Sequence, residues 1–443
     1  MIETSVDLRY NVKMVCLDML VPNQHLLRKI ENAIDFSEIH GMVEHLYCED
    51  NGRPAADPIV LIKMVLLQHL YGIKSLRQTV REVDMNIAYR WFIGYDIDTP
   101  IPHFATISYA FATRFPSAVF ERIFSWILDA VIVKGFIKAE TIFIDATHIK
   151  ANANRKKHRK ELVQKTARAY DEQLREEINS DRAIHGKKPL KEKNAITENK
   201  EVMASITDPD SGLFHKGEHK VEFAYTTHVA CDKNNFVLAC DVTPGNVHDS
   251  VMFDAVYEAV TDKFAEVETV AVDSGYKTPW ICKKVQASGR NISTAYKRPM
   301  SKKGFFRSYE YVYDEYFDCV ICPNNQVLHY SNTNRDGYRE FKSNPNTCVV
   351  CPFLHQCTAS SNHQKVVTKH IWEEHIDVAE HFRHSPAGRE SYNLRSQTIE
   401  RVFADAKEKH GMRYTLHRGI DRVRNWIRLK LAAMNLKKLA MWA

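Results

Sequence analysis

The spacing of apolar and polar residues divides the chain into a helical part and a mixed part. Between residues 24 and 130, apolar side chains recur at steps of three and four, which is typical of amphipathic helices. This spacing predicts helices over 58–71, 76–83, 106–115 and 118–133. Gly72 ends the first of these helices, and Ser75 is placed to cap the second. We therefore expect an all-α domain over residues 1–135, either a DNA-binding head or a plain scaffold.

The pattern changes at residue 141, where β-rich runs begin to alternate with helical ones. Strands are predicted over 141–148, 224–231, 236–242, 268–273 and 291–296, and helices over 155–182, 250–263 and 279–287. This order predicts an α/β fold with a mixed sheet. We expect an RNase-H-like sheet in which the first strand is central and the strand ending at Asp273 pairs beside it. This core is assigned to residues 136–298, with a basic helical insertion at about 150–220.

Two more segments follow the core. Residues 299–390 do not continue the alternation of strands and helices, and they contain clustered cysteines. We therefore expect a Cys-rich insertion there. Long helical patterns over 392–410 and from 421 onward predict a C-terminal segment, 391–443, that completes the core.

Three acidic residues carry the candidate chemistry. Asp145 and Asp273 each follow an apolar run, and a buried carboxylate is costly unless a cation or hydrogen bonds neutralise it. Taken singly, an aspartate after a strand is more often a turn or cap residue. The third acid, Glu400, lies beside a predicted buried stripe, with Lys407 two turns later on the same edge; Asp405 and Glu408 compete for this role. Three such acids are suited to hold two divalent metal ions for phosphoryl transfer.

Composition narrows the class of protein. The 443 residues are enough for roughly two to four domains, and their formal charge of +6 fits either a nucleic-acid-binding protein or a mildly basic cytosolic one. The basic cluster of Arg155, Lys156 and Lys157 suits phosphate contacts, although a solvated helix face is the alternative. No apolar run is long enough for a membrane span, and the first residues are not a secretory signal, so we expect a cytoplasmic protein.

Five cysteines are clustered as Cys319-x2-Cys322, Cys348-x2-Cys351 and Cys357. Paired Cys-x2-Cys motifs suit tetrahedral zinc, and a reducing compartment argues against disulfides. We expect a structural Zn²⁺ that braces the insertion between Asp273 and Glu400, and cysteines without metal are the alternative.

Four sequence elements, in order, resemble those of the DDE transposases of bacterial insertion sequences. They are Ile144-Asp145-Ala146-Thr147, Thr243 to Ser250, Val272-Asp273-Ser274-Gly275-Tyr276, and Ile399 to Gly411 with Tyr392-x-x-Arg395 ahead of it. The resemblance implies that Asp145, Asp273 and Glu400 bind two Mg²⁺ or Mn²⁺ ions. It also implies that Tyr392, Arg395 and Lys407 contact DNA as a Tyr-Arg-Glu-Lys motif. Four residues separate Arg395 from Glu400 where three are usual.

In the same resemblance the turn containing Asn246 and His248 lies near the active site. Either Asn246 and His248 touch the DNA backbone, or His248 and Asp249 cap the following helix. The function implied is cleavage of the ends of a mobile element and joining of the 3′ ends to target DNA. Double-stranded terminal repeats and target DNA would be the partners, bound by a dimer or larger assembly on the bacterial nucleoid. A nuclease without strand transfer and a non-catalytic zinc-dependent DNA-binding protein are the alternatives.

Overall fold

The computed structural model describes residues 9–48, 55–164, 170–191, 199–216, 220–296 and 302–443. Its N-terminal part is helical, as predicted. The helices are α1 (Leu17–Leu20), α2 (Leu26–Ala33), α3 (Glu38–Val43), α4 (Pro58–Leu70), α5 (Leu76–Met85), α6 (Ile87–Ile93), α7 (Phe104–Tyr109) and α8 (Ser117–Val133). Ser75 caps α5 as predicted, because its side chain accepts a hydrogen bond from the Gln78 amide. A π-helical turn, Ala110–Arg114, extends the stretch that begins with α7.

A mixed eight-stranded sheet forms the centre of the protein. Its strands are β1 (Thr141–Lys150), β2 (His158–Gln164), β3 (Asn199–Ser205), β4 (Gly212–Lys216), β5 (Lys220–Cys231), β6 (Val237–Pro244), β7 (Thr269–Val272) and β8 (Asn291–Thr294). They are ordered β2-β3-β4-β5-β1-β7-β8, and β6 pairs with β5. As predicted, β1 is central and β7 pairs beside it. The two strands are parallel, and β1 is antiparallel to β5 on its other side. Helices α9 (Asp171–Ile184), α10 (Phe253–Thr261) and α11 (Pro279–Ala287) connect these strands.

The predicted helix over 155–182 is wrong in its first half. Residues His158–Gln164 form β2, which pairs with β3 along its whole length, and the helix α9 begins only at Asp171. The insertion is therefore a sheet extension followed by a helix, because pairing with a distant strand overrides the local helical preference of a basic stretch.

A second, five-stranded sheet lies in the Cys-rich segment. Its strands are β9 (Val312–Asp314), β10 (Cys319–Ile321), β11 (Val327–Thr333), β12 (Tyr338–Lys342) and β13 (Val366–His370), and two short helices, α12 (Pro345–Cys348) and α13 (Leu354–Cys357), precede β13. The second sheet has its own small core. It is joined to α9 by Asp181, which accepts hydrogen bonds from Arg339 at 2.7 Å and from Thr333 at 2.5 Å.

The C-terminal helices are α14 (Glu373–His384), α15 (Pro386–Asn393), α16 (Ile399–Glu408) and α17 (Ile420–Trp442). The single helix predicted over 392–410 is broken between α15 and α16. A 3-10 turn, Leu394–Gln397, leads to Thr398, whose φ of −113° and ψ of −100° are not helical. The Thr398 hydroxyl donates to the Leu394 carbonyl at 2.8 Å, a local bond that competes with regular helix.

Helix α17 connects the N-terminal helices to the sheet. It packs against α2, α4, α8 and β6. One hydrophobic core therefore runs through Leu27, Leu66, Ile142 and Leu436. Within the part of the chain that the structure describes, no helix is long and apolar enough to cross a membrane.

A buried polar cluster lies where α4, α16 and α17 meet. His69 and His410 are almost completely buried, and the His410 ring donates to the His69 carbonyl at 2.8 Å. Burial lowers the pKa of His410 to about 4 and that of His69 well below its ordinary value. Lys430 donates to the His410 carbonyl and lies 3.4 Å from the His69 ring.

This cluster predicts sensitivity to mild acid. Below the ordinary histidine pKa of about 6.5 the unfolded chain binds protons that the folded chain does not. Folding stability should therefore fall between pH 6.5 and pH 5, by about 2 kcal/mol for His410 alone. Denaturant unfolding at the two pH values measures the loss. His410→Gln should reduce this loss, whereas replacement of the exposed His215 should not.

Candidate active site

Asp145 and Asp273 lie side by side at the centre of the main sheet. Ile144 pairs with Val272 in the last register position of β1 and β7, so the next residues of the two parallel strands are Asp145 and Asp273. Neighbouring strands are about 4.8 Å apart, so the two carboxylates belong to one site. As predicted, Asp273 follows the end of its strand. Asp145 is not at the end of its strand, because β1 continues to Lys150 along β5. Asp145 lies instead beside the end of the neighbouring strand β7.

Arg395 neutralises Asp145. Its Nη2 lies 2.6 Å from Asp145 Oδ2, and its Nη1 donates to the Ile144 carbonyl at 3.4 Å. Burial raises the pKa of the Asp145 carboxyl, while the Arg395 charge and the Ala146 amide lower it and the Asp273 charge raises it. Two close carboxylates that repel each other favour a bound cation, and Arg395 supplies one positive charge from the protein itself.

Asp249 and Tyr276 extend this site, although sequence reasoning assigned them no part in it. Burial raises the pKa of Asp249, the His248 ring lowers it and the charge of Asp273 raises it, so Asp249 lies within electrostatic range of Asp273. Tyr276 is buried, and its hydroxyl has no hydrogen-bond partner among the described residues. The pKa of Tyr276 is raised first by burial and then by Asp249 and Asp145. The sequence signal for Tyr276 was its position directly after Asp273-Ser274-Gly275.

Glu400 is in the first turn of α16 and is exposed. The predicted stripe of Ile399, Val402, Phe403 and Ala406 is buried, as expected from the spacing. Two contacts, one before and one after Glu400 in the sequence, hold its helix over β1. Arg395 binds Asp145, and Lys407 donates to the Thr147 hydroxyl. In the described residues no three histidine, cysteine or acidic side chains are arranged to hold a metal ion. The structure thus brings Asp145 and Asp273 together, and Glu400 lies on the helix that these two contacts hold over β1.

The residues assigned to DNA by the family motif are partly inside the protein. Arg395 is only 4% exposed, and its guanidinium lies 5.8 Å from the centre of the Tyr392 ring. Tyr392 and Lys407 are half-buried. Of these residues Arg395 contacts Asp145, and contact of all three with DNA remains a prediction.

The turn after β6 and the basic cluster are both on the surface. His248 caps a 3-10 turn, Asp249–Met252, because its Nδ1 accepts from the Ser250 amide at 3.3 Å. His248 therefore takes the predicted capping role, and contact of its exposed side chain with DNA remains a prediction. Asn246 and His248 are exposed, as are Arg155, Lys156 and Lys157 in the turn between β1 and β2.

A basic cleft lies at the start of β1. It has a volume of about 690 Å³, and its charged lining residues are Lys138, Lys233, Arg401 and Glu140. Arg401 brings the first turn of α16, which also carries Glu400, to the wall of the cleft. The three basic residues are far apart in the sequence, and no local charge pattern predicted that they line one cleft.

The clustered cysteines separate into two groups. Cys322, Cys348, Cys351 and Cys357 line one small cavity. Cys319 is in β10, is 7% exposed and does not line that cavity.

Comparisons with known families agree on one class of protein. Residues 15–113 match the family described as Transposase domain (DUF772), and residues 321–440 match the family described as Transposase DDE domain. The second match includes Arg395, Glu400 and Lys407. Neither match reaches Asp145 or Asp273, which are therefore supported by the geometry alone. No curated protein matches the chain significantly.

Proposed function

Because the chain belongs to the DDE transposases of insertion sequences, we propose that it cleaves the ends of its own element and joins the freed 3′ ends to target DNA. The family implies a DNA-processing enzyme that binds DNA. The observation that best supports the proposal is the register of β1 and β7, which sets Asp145 beside Asp273. The central position of β1 is also what an RNase-H-like core requires.

The residues of the site fit hard divalent cations. Carboxylates are the ligands that Mg²⁺ and Mn²⁺ prefer, and the repulsion between Asp145 and Asp273 decreases when a cation is shared. We propose that Asp145, Asp273 and Glu400 hold two such ions. When bound, the ions would activate the attacking hydroxyl and stabilise the leaving oxygen.

The protein's own residues orient the acids and the DNA. Arg395 favours the ionised form of Asp145 and fixes its carboxylate by a hydrogen bond of 2.6 Å. Lys407 holds α16 against Thr147 and so fixes the helix that carries Glu400. The cleft at the start of β1, in which Lys138, Lys233 and Arg401 outnumber Glu140, offers a net positive surface to a phosphate backbone.

Other surfaces are assigned to DNA by the same proposal. The N-terminal helices would recognise the terminal repeats, while Arg155, Lys156, Lys157, Asn246 and His248, all exposed, would contact the backbone. Joining two ends requires both to be held at once, so a dimer or larger assembly is expected on nucleoid DNA.

A product assay tests the proposal. The repeats that flank the coding region define the substrate, a labelled duplex that ends in one of them. With Mg²⁺ or Mn²⁺ we expect a nick at the repeat boundary and a second product in which the labelled 3′ end is joined to a target plasmid. Cleavage without any joined product would instead identify a nuclease, and binding without cleavage a non-catalytic DNA-binding protein. A duplex with a scrambled repeat is the control.

A further inference from the structure

We infer that Cys322, Cys348, Cys351 and Cys357 form a structural Zn²⁺ site that fastens the second sheet to its two short helices, and that Cys319 is not a ligand. The site is separate from the acidic residues and does not depend on the proposed reaction.

The four thiols converge from separate elements of the Cys-rich segment. Cys322 follows β10, Cys348 ends α12, Cys351 follows in the next turn and Cys357 ends α13. All four line one cavity of about 50 Å³. The turn between Cys348 and Cys351 is closed by a hydrogen bond from the Cys351 amide to the Cys348 carbonyl, 3.1 Å long. Four cysteines around one small cavity are the ligand set of a closed, tetrahedral zinc site.

The surroundings of the thiols suit a metal–thiolate centre. The Gln326 amide donates to Cys322 Sγ at 3.4 Å, and Asn324 donates to Cys351 Sγ at 3.5 Å. Such donors around the sulfurs stabilise thiolates and fix their direction. Lys365 also lines the cavity, and its positive charge offsets the excess negative charge of a zinc ion with four thiolates.

The present thiol partners are local and exchangeable. Cys357 Sγ lies 3.3 Å from the Tyr311 hydroxyl, and Cys348 Sγ donates to the Ser343 hydroxyl at 3.2 Å. As noted above, no three described side chains are already set to hold a metal. Zinc binding therefore requires Cys348 and Cys357 to rotate about their Cα–Cβ bonds, from these partners toward the shared cavity.

The Cys-rich segment is expected to need a metal for its stability, because its own core is small. Its own core is four buried residues, Tyr311, Val320, Leu328 and Phe341. Helices α12 and α13 have four residues each, and such short helices are unstable without tertiary support. Small units with so little core commonly depend on a metal or on disulfides.

Metal content and spectra test this inference without any cleavage assay. The full-length protein, dialysed against Mg²⁺ to displace zinc held by carboxylates, should retain one zinc per chain by elemental analysis. Replacing that zinc by Co²⁺ should give the intense visible bands and the sulfur-to-metal charge transfer of tetrahedral thiolate coordination. Zinc content near zero after reconstitution, or the weak spectrum of octahedral cobalt, would overturn the inference.

Single variants identify the ligands. Cys351→Ser should reduce bound zinc from one per chain to a small fraction, and Cys322→Ser should do the same. Cys319→Ser is the matched control, because it removes a thiol only three residues from Cys322 but outside the cavity, and it should retain the metal. Equal losses in Cys319→Ser and Cys322→Ser would contradict the assignment. Because the readout is metal content, a failed strand-transfer assay leaves this result unaffected.

Discussion

Replacing Asp145 by Asn is expected to abolish metal-dependent cleavage of element-end DNA while leaving DNA binding largely intact. The amide keeps the shape of the side chain and still accepts a hydrogen bond from Arg395, so the fold should be retained. It no longer supplies the negative charge that a divalent cation requires between β1 and β7. We expect cleavage to fall by at least about a thousandfold, the order of loss when a charge-stabilising group is removed from an active site.

The control for this variant is Asp241→Asn. Asp241 is also a strand aspartate paired with an arginine, since Arg424 Nε lies 2.7 Å from its Oδ1. It is opposite His228 on β5, which in turn is opposite Ala146 on β1. Directly opposed residues on neighbouring strands share a face of the sheet, so Asp241 is on the same face as Ala146. Successive residues of a strand point to opposite faces, so Asp145 is on the other face of the sheet from Asp241. Cleavage rate and binding affinity are measured for both variants. Normal cleavage by Asp145→Asn would refute the assignment of the site.

Removing Arg395 should destabilise the protein strongly when no divalent cation is present. Arg395→Ala leaves the largely buried carboxylate of Asp145 beside Asp273 without its positive partner. Breaking a buried ion pair from one side costs about 3 kcal/mol. The measurement is the free energy of unfolding in denaturant, in buffer containing a chelator.

Divalent cations should restore part of this loss, because they replace the missing charge. Addition of Mg²⁺ or Mn²⁺ is therefore expected to stabilise Arg395→Ala more than the unmodified protein. Arg424→Ala removes an arginine from Asp241 on the other face and leaves the proposed metal site intact, so the cations should stabilise this variant only as much as the unmodified protein. An equal response in both variants would mean that the cations do not bind at Asp145.

The parts of the fold that local spacing determines were predictable from sequence. Helices α4, α5 and α8 follow their apolar spacing, and α11 has the predicted bounds of 279–287. The stripe beside Glu400 was also predicted, because a helix of regular period fixes which residues share a face. Local signals failed where a distant partner decides the structure, as in β2, which becomes a strand only through its pairing with β3.

The same limit applies to the active site. The apolar runs before Asp145 and Asp273 predicted both acids at strand ends, which is correct for Asp273 and wrong for Asp145, and the register that makes them neighbours depends on which strands pair. The ion pair between Arg395 and Asp145 joins residues 250 positions apart. The cation cleft likewise gathers Lys138, Lys233 and Arg401 from three separate regions. A single sequence shows which residue types are present, whereas the tertiary structure determines which of these residues lie close together.

The position of α17 has a consequence for the order of folding during synthesis. The N-terminal helices α2, α4 and α8 leave the ribosome first, yet each of them also packs against α17, a helix translated after both sheets. Contacts so distant in sequence form slowly, and until they form the apolar faces of these helices are uncovered. The N-terminal helices should therefore stay incompletely packed, and open to chaperones or proteases, while the rest of the chain is translated.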